Sequence, residues 1–128
     1  MKLFFNQIAL FYKSLADENR LRIIMNLAED QKSVSQIIDV TKLSQPLVSH
    51  HLKELKNNLV VKTERKGSFV YYELNEPALI NLIKLTNQLL LELNEKSSLK
   101  VNTENKSYLP FPVMMKKMFE LMNQSKEE

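Results

Sequence analysis

Gln45, Ser49, His50 and Lys53 recur across residues 44–56, with Val48, Leu52 and Leu55 set among them. On a helix this spacing sends the aliphatic residues to one face, as core, and the polar ones mostly to another. Gln45 can make two hydrogen bonds to an adenine edge, Ser49 can serve a base edge or a phosphate, and His50 can donate to either. Ser44 precedes them as a cap that aims the positive helix end at a phosphate. Arg65 and Lys66 follow, just before the only glycine, Gly67, at what reads as a hairpin tip. Long cations on such a turn reach a phosphate or the minor groove. This is chemistry of recognition rather than reaction. Specificity is expected from Gln45, Ser49 and His50. Affinity is expected largely from Lys53, Arg65 and Lys66, weakening with salt. Lys53, Lys56 and Lys62 carry a weaker signal, since each also reads as solvent-facing charge.

Other reactive side chains form no comparable pattern. Asp17, Glu18 and Asp30 pair nothing, and no Ser-His-Asp arrangement is legible, so enzyme activity is not expected. His50 and His51 are adjacent, hence about 100° apart on a helix, and share no ligand face. His51 is expected to pack on the helix before its own. Cysteine is absent, which excludes disulfides and thiolate metal sites. One glycine cannot build a phosphate-cradling loop or a dinucleotide fingerprint. Neither metal nor cofactor is therefore expected. Met114, Met118 and Met122 form a stripe that could ligate Cu(I) but reads more simply as an amphipathic helix. With Phe111 and Phe119 it could also line an apolar ligand pocket.

Particular elements must position these groups. The chain has 128 residues, 44% hydrophobic and 26% charged, with a net charge of +3 that permits a nucleic-acid partner. It has no run long enough to span a membrane and no leader-like start, and a cytoplasmic location is expected. Residues 4–15 read as an amphipathic helix. Asp17 caps a second, with Leu21, Ile24, Met25, Leu27 and Ala28 inward. Ser33-Val34-Ser35-Gln36 matches a capping box for a third, with Val34, Ile37, Ile38 and Val40 inward. After a turn at residues 41–43 the fourth helix runs to about Lys56, ended by Asn57-Asn58, asparagine tolerating the left-handed conformation. Residues 59–63 and 68–74 read as strands joined by a hairpin at 65–68. Asn75 caps a fifth helix with Pro77 in its first turn. Its many leucines, among them Leu82, Leu85 and Leu89, exceed what one small core needs and imply a dimer interface. Residues 94–109 read as a polar linker, and 113–123 as a last helix.

Helix, turn, helix, hairpin, helix is the order of a winged helix-turn-helix, in which residues 33–40 brace residues 44–56 for entry into a major groove. The runs Leu15-Ala16-Asp17-Glu18-Asn19-Arg20-Leu21-Arg22-Ile23-Ile24 and Leu43-Ser44-Gln45-Pro46-Leu47-Val48-Ser49-His50-His51-Leu52-Lys53-Glu54-Leu55 resemble the ArsR family of bacterial and archaeal repressors. Val70-Tyr71-Tyr72-Glu73-Leu74 is similar to its second wing strand, and the likeness covers about residues 8–93. It implies a homodimer joined through the first helix, here Phe4, Ile8 and Phe11, and the helix after the wing. It also implies operator binding that an inducer releases. The family's thiolate sensors match Ser33 and Ser35 here. Its zinc pairs match Glu76, Ala78, Leu89 and Glu92, two of them apolar, so neither site carries over. The family's glycine after the recognition helix matches Asn58.

The expectation is a mainly α, homodimeric winged helix-turn-helix. Residues 1–93 bind DNA and dimerise, and residues 94–128 form a linker and an amphipathic helix. The function expected is sequence-specific repression from a pseudo-palindromic operator in double-stranded DNA, with an organic inducer or protein partner as the signal. The rival is a winged-helix protein-interaction module.

Overall fold

A computed structural model describes residues 1–96. The methionine stripe and Phe111 and Phe119 lie outside the described residues, as does most of the expected linker. Helix α1 (Phe5–Leu15) follows the expected apolar spacing but buries only Ser14 and Leu15. Phe4, Phe5, Ile8, Leu10 and Tyr12 remain exposed.

Helix α2 (Glu18–Leu27) starts on the Asp17 carboxylate, which accepts the amides of Asn19 and Arg20 at 2.9 and 3.1 Å. It buries Ile23, Ile24, Met25 and Leu27. Ile23, absent from the expected face, is wholly shielded, whereas Ala28 is exposed. A two-residue strand β1 (Lys32–Ser33) then leads straight into helix α3 (Val34–Thr41). The capping box is present: Ser33 Oγ accepts from the Gln36 amide, and Gln36 Oε1 accepts from the Ser33 amide. Only Ile37 of α3 is buried, and Val40 is 49% exposed, contrary to its expected inward role. One position on, Thr41 turns its hydroxyl back to the Ile37 carbonyl at 2.6 Å. Lys42 ends the helix in the left-handed conformation, φ 61°.

Helix α4 (Gln45–Asn57) is capped by Ser44, whose Oγ accepts from the Leu47 amide, with Pro46 in the first turn. Its end corrects the expected role of Asn58. Asn58 has φ −94°, and it is Leu59 that takes the left-handed conformation, φ 61°. The reversal falls one residue later because the Val60 amide closes back on the Leu55 carbonyl at 2.9 Å.

Strands β2 (Val61–Lys66) and β3 (Phe69–Leu74) pair antiparallel, and β1 pairs with the other edge of β3. The sheet order is β1-β3-β2, so the wing is rooted in a third strand that the sequence reading lacks. Lys66 opposite Phe69 makes Gly67-Ser68 a two-residue turn, with Gly67 at φ 63°. A positive φ at the first turn position and none at the second is the type II′ pattern. The tip is thus Gly67-Ser68, and Arg65 and Lys66 belong to β2.

Helix α5 (Leu79–Lys96) begins later than expected. Asn75 does not cap it. Its amide and side chain donate to the carbonyls of Val60 and Leu59, tying the end of β3 to the start of β2. Glu76 Oε1 instead accepts the Ala78 amide at 3.2 Å. Along α5, Leu82 is half-buried, and Leu85, Leu89, Leu91 and Leu93 are exposed.

One compact unit spans Met1–Ile80 and a second begins at Asn81. The first holds a core of Ile23, Ile24, Met25, Ile37, Val48, Leu52, Leu55 and Val61, all nearly free of solvent. Each large side chain of this kind contributes about 1.5–3 kcal/mol by burial. Among the described residues, no helix is long and apolar enough to cross a membrane.

Candidate nucleic-acid interface

Helix α4 divides sharply. Val48, His51, Leu52 and Leu55 are buried, while Ser44, Gln45, Ser49, His50 and Lys53 are exposed. Gln45, Ser49 and Lys53 are spaced four apart and form one line along the outer side. Lys56 extends that line and is also exposed. His50 sits off it, about 100° round the helix from Ser49. Neither Lys53 nor Lys56 makes an ion pair among the described residues. Their charges are thus free for an anionic partner.

His51 departs from its expected contact. Its hydrogen bond runs to α2, not to the preceding helix α3: its Nδ1 accepts from Arg20 Nε at 3.2 Å. Its Nε2 stands 3.7 Å from Asp17 Oδ1. Burial pushes the imidazole pKa below its ordinary value. Asp17 pulls it back up, and Arg20 and His50 add to the lowering.

In the wing, strand alternation decides direction. Val61 and Leu74 are buried opposite each other at the root. Thr63 and Tyr72, then Arg65 and Val70, continue that face outward. Lys62, Glu64 and Lys66, opposite Glu73, Tyr71 and Phe69, occupy the other face. Arg65 and Lys66 therefore point to opposite sides of the ribbon. Both are exposed, but their surroundings differ. Arg65 makes no ion pair or side-chain hydrogen bond among the described residues. Lys66 lies over the Tyr71 ring, 5.6 Å from its centroid, and, with the Gln31 amide assigned the orientation that satisfies both its ends, donates to the Gln31 side-chain oxygen. The Gln31 amide nitrogen in turn donates to Glu64 Oε2 at 3.1 Å. Lys62 is paired with Glu73 at 3.6 Å.

Sequence reasoning missed Gln31 and Tyr71 as partners of Lys66. Alternation in residues 61–74 would have shown the sidedness, had the two-residue turn been fixed first. A groove of about 350 Å³ lined by Glu29, Asp30, Glu64 and Glu73 carries the opposite charge and would repel phosphate. Among the described residues, no three His, Asp or Glu side chains cluster as a metal-ligand set.

Comparison with known proteins matches this arrangement. Residues 17–62, from the α2 cap to the start of the wing, fit the sequence model described as "Bacterial regulatory protein, arsR family". A cadmium resistance transcriptional regulatory protein of Listeria innocua is 40% identical over 76 residues, which are 59% of this chain. The chain spans only 64% of that relative's own length. An arsenical resistance operon repressor of Staphylococcus aureus is 30% identical over 99 residues, 73% of this chain and 95% of the repressor. A solved homodimeric winged helix-turn-helix DNA-binding domain from Mycobacterium bovis superposes with a TM-score of 0.61 at 27% identity, covering 71% of this chain and 83% of that one. With a relative matched over nearly its whole length and the same wing behind the same helix pair, this chain belongs to the ArsR family of winged helix-turn-helix regulators.

Proposed function

We propose that the chain is a transcriptional repressor that binds double-stranded DNA as a homodimer on a pseudo-palindromic operator. The observation that carries this reading is α4: a line of Gln45, Ser49 and Lys53 stands clear of solvent-excluding neighbours while the opposite face is locked into the core. Ser44 caps the helix at the phosphate backbone, Gln45, Ser49 and His50 read base edges, and Lys53, Arg65 and Lys66 meet phosphates. Twofold symmetry sets the half-sites about one turn, roughly 34 Å, apart.

Dimerisation uses Phe4 at the cap of α1, Ile8 and Phe11 within it, and Leu82, Leu85 and Leu89 of α5. Support comes from exposure: Phe4 53%, Leu85 53% and Leu89 50%, a high cost for apolar side chains left in water. Residues 1–93 are the part that binds DNA and dimerises, and the protein works in the cytoplasm. Release follows an organic inducer or a protein partner. A thiolate-bound metal is not the signal, because no cysteine is present and Ser33 and Ser35 offer only hydroxyls.

The test is fluorescence anisotropy against a duplex from upstream of the protein's own coding sequence and a scrambled duplex, at two salt concentrations. Selective binding with a steep salt dependence is expected. Equal, weak binding of both duplexes by folded protein would sink the reading. For the dimer, Leu89→Glu should lower the sedimentation mass at micromolar protein; an unchanged mass would move the interface elsewhere.

A further inference from the structure

Aliphatic packing alone does not account for how α4 is held. His51 is buried, its side chain 6% exposed, on the face of that helix that also buries Val48, Leu52 and Leu55. Its Nδ1 accepts from Arg20 Nε. The same guanidinium donates through Nη1 to the Ser14 carbonyl at 3.2 Å, in the last turn of α1. Asp17, which caps α2, turns the oxygen that binds the Asn19 and Arg20 amides towards His51 as well. The ring nitrogen facing it, Nε2, has no hydrogen-bond partner. One arginine on α2 therefore grips the end of α1 and the middle of α4 together.

We infer that Arg20 and His51 are positioning residues that set α4 against α1 and α2, and that their bond holds only while the His51 ring is neutral. The consequence at DNA rests on the reading proposed above. An accepting nitrogen carries a lone pair, so the proton of the neutral ring sits on Nε2. A second proton goes to Nδ1 and turns that acceptor into a donor facing a donor. The Asp17 carboxylate favours the doubly protonated ring, and Arg20 and His50 oppose it. Among the described residues, no other charge, from α1, α3 or β2, which also pack on α4, acts on the ring. Desolvation is the largest influence and disfavours the cation. The folded ring thus takes a proton less readily than the unfolded one. The contribution is complete above about pH 6.5 and is lost as the pH falls below it. Mild acid loosens the seat of the helix that carries Gln45 and Ser49, without altering either residue.

The test compares the wild type with His51→Asn, whose side-chain oxygen replaces Nδ1 as a non-titrating acceptor, and with His51→Leu, which offers none. Thermal melts at pH 8 establish that each is folded. Anisotropy titrations on the upstream duplex then run from pH 8 to pH 5.5. His51→Asn should bind within about threefold of wild type at pH 8, and His51→Leu about tenfold more weakly. Relative to His51→Asn, the wild type should lose a further factor of about ten on acidification. His50 is common to both and cancels in that ratio. Parallel pH profiles for the wild type and His51→Asn would overturn the inference, as would full affinity in folded His51→Leu. A second readout needs no DNA. In amide NMR spectra of the free protein, Gln45 and Ser49 should shift further on acidification in the wild type than in His51→Asn, which retains His50. If the wild type binds no duplex at pH 8, the repressor reading fails, and these spectra still decide the positioning role: equal shifts of the Gln45 and Ser49 amides in the wild type and His51→Asn would refute it.

Discussion

In α4 an environment recurs every third or fourth residue; in the β2–β3 ribbon it recurs every second. The helix can therefore gather Gln45, Ser49 and Lys53 on one side while Val48, Leu52 and Leu55 hold the other. The ribbon cannot gather neighbours. Arg65 and Lys66 are adjacent in sequence and diverge in space, one unencumbered and the other leaning on Tyr71 and Gln31. The proposed reading gives discrimination to the rigid, one-sided element and general affinity largely to the exposed ribbon, whose two cations should contribute unequally.

The most severe way to break this contrast is at the helix's buried face. Leu52→Ala, at a site 1% exposed, should cost about 2–5 kcal/mol of folding stability in urea melts. A loss below about 1 kcal/mol would mean that α4 is not held by its core side. Next, Gln45→Ala should lower the preference for the operator over a scrambled duplex by about tenfold, roughly 1–3 kcal/mol, with melting unchanged. Loss of affinity for both duplexes alike would assign Gln45 to the backbone instead. In the ribbon, Arg65→Ala should weaken all duplexes by about fivefold and flatten the salt dependence by about one charge. Lys66→Ala should do less, because Gln31 and Tyr71 already engage its ammonium; an equal or larger effect would erase the inequality drawn here. Smallest of all, Leu59→Gly should stabilise the fold by about 0.5 kcal/mol, read as a small rise in Tm. The leucine is 73% exposed and left-handed, so relief of backbone strain outweighs the burial forgone. A fall in Tm would show that the exposed leucine has a packing role.

What could be read directly from residue types was local. Asp17, Ser33 with Gln36, and Ser44 cap helices through contacts two or three residues away, and their chemistry is legible in a short window. The two faces of α4 follow from period alone. What escaped depends on distant partners. β1 is two residues long and exists because Tyr71 and Tyr72 arrive beside it. The Arg20–His51 bond spans 31 residues. Val40 looked internal because it is aliphatic, yet it lies three residues past Ile37, the one α3 residue that is buried, and stays 49% exposed. The sidedness of Arg65 and Lys66 waited on the turn: residues 65–68 admit several registers, and each choice reverses which cation faces which side.

Ser33 has two roles at once. It pairs with Tyr71 as the last residue of β1, and its hydroxyl opens α3. The start of the bracing helix and the middle of the wing are thus a single junction, although about 40 residues of chain must be looped to close it. Such a closure is slow relative to helix formation, since its entropy is lost before any contact compensates. During synthesis α2, α3 and α4 emerge before β3 does. The nascent chain therefore carries helices whose mutual placement is unfinished until the second wing strand leaves the ribosome. A chain cut short anywhere before Tyr71 would keep the local cap of α3 but lack both the completed wing and the strand that ties α3 to it, and truncated copies would compete poorly with the finished protein for its target.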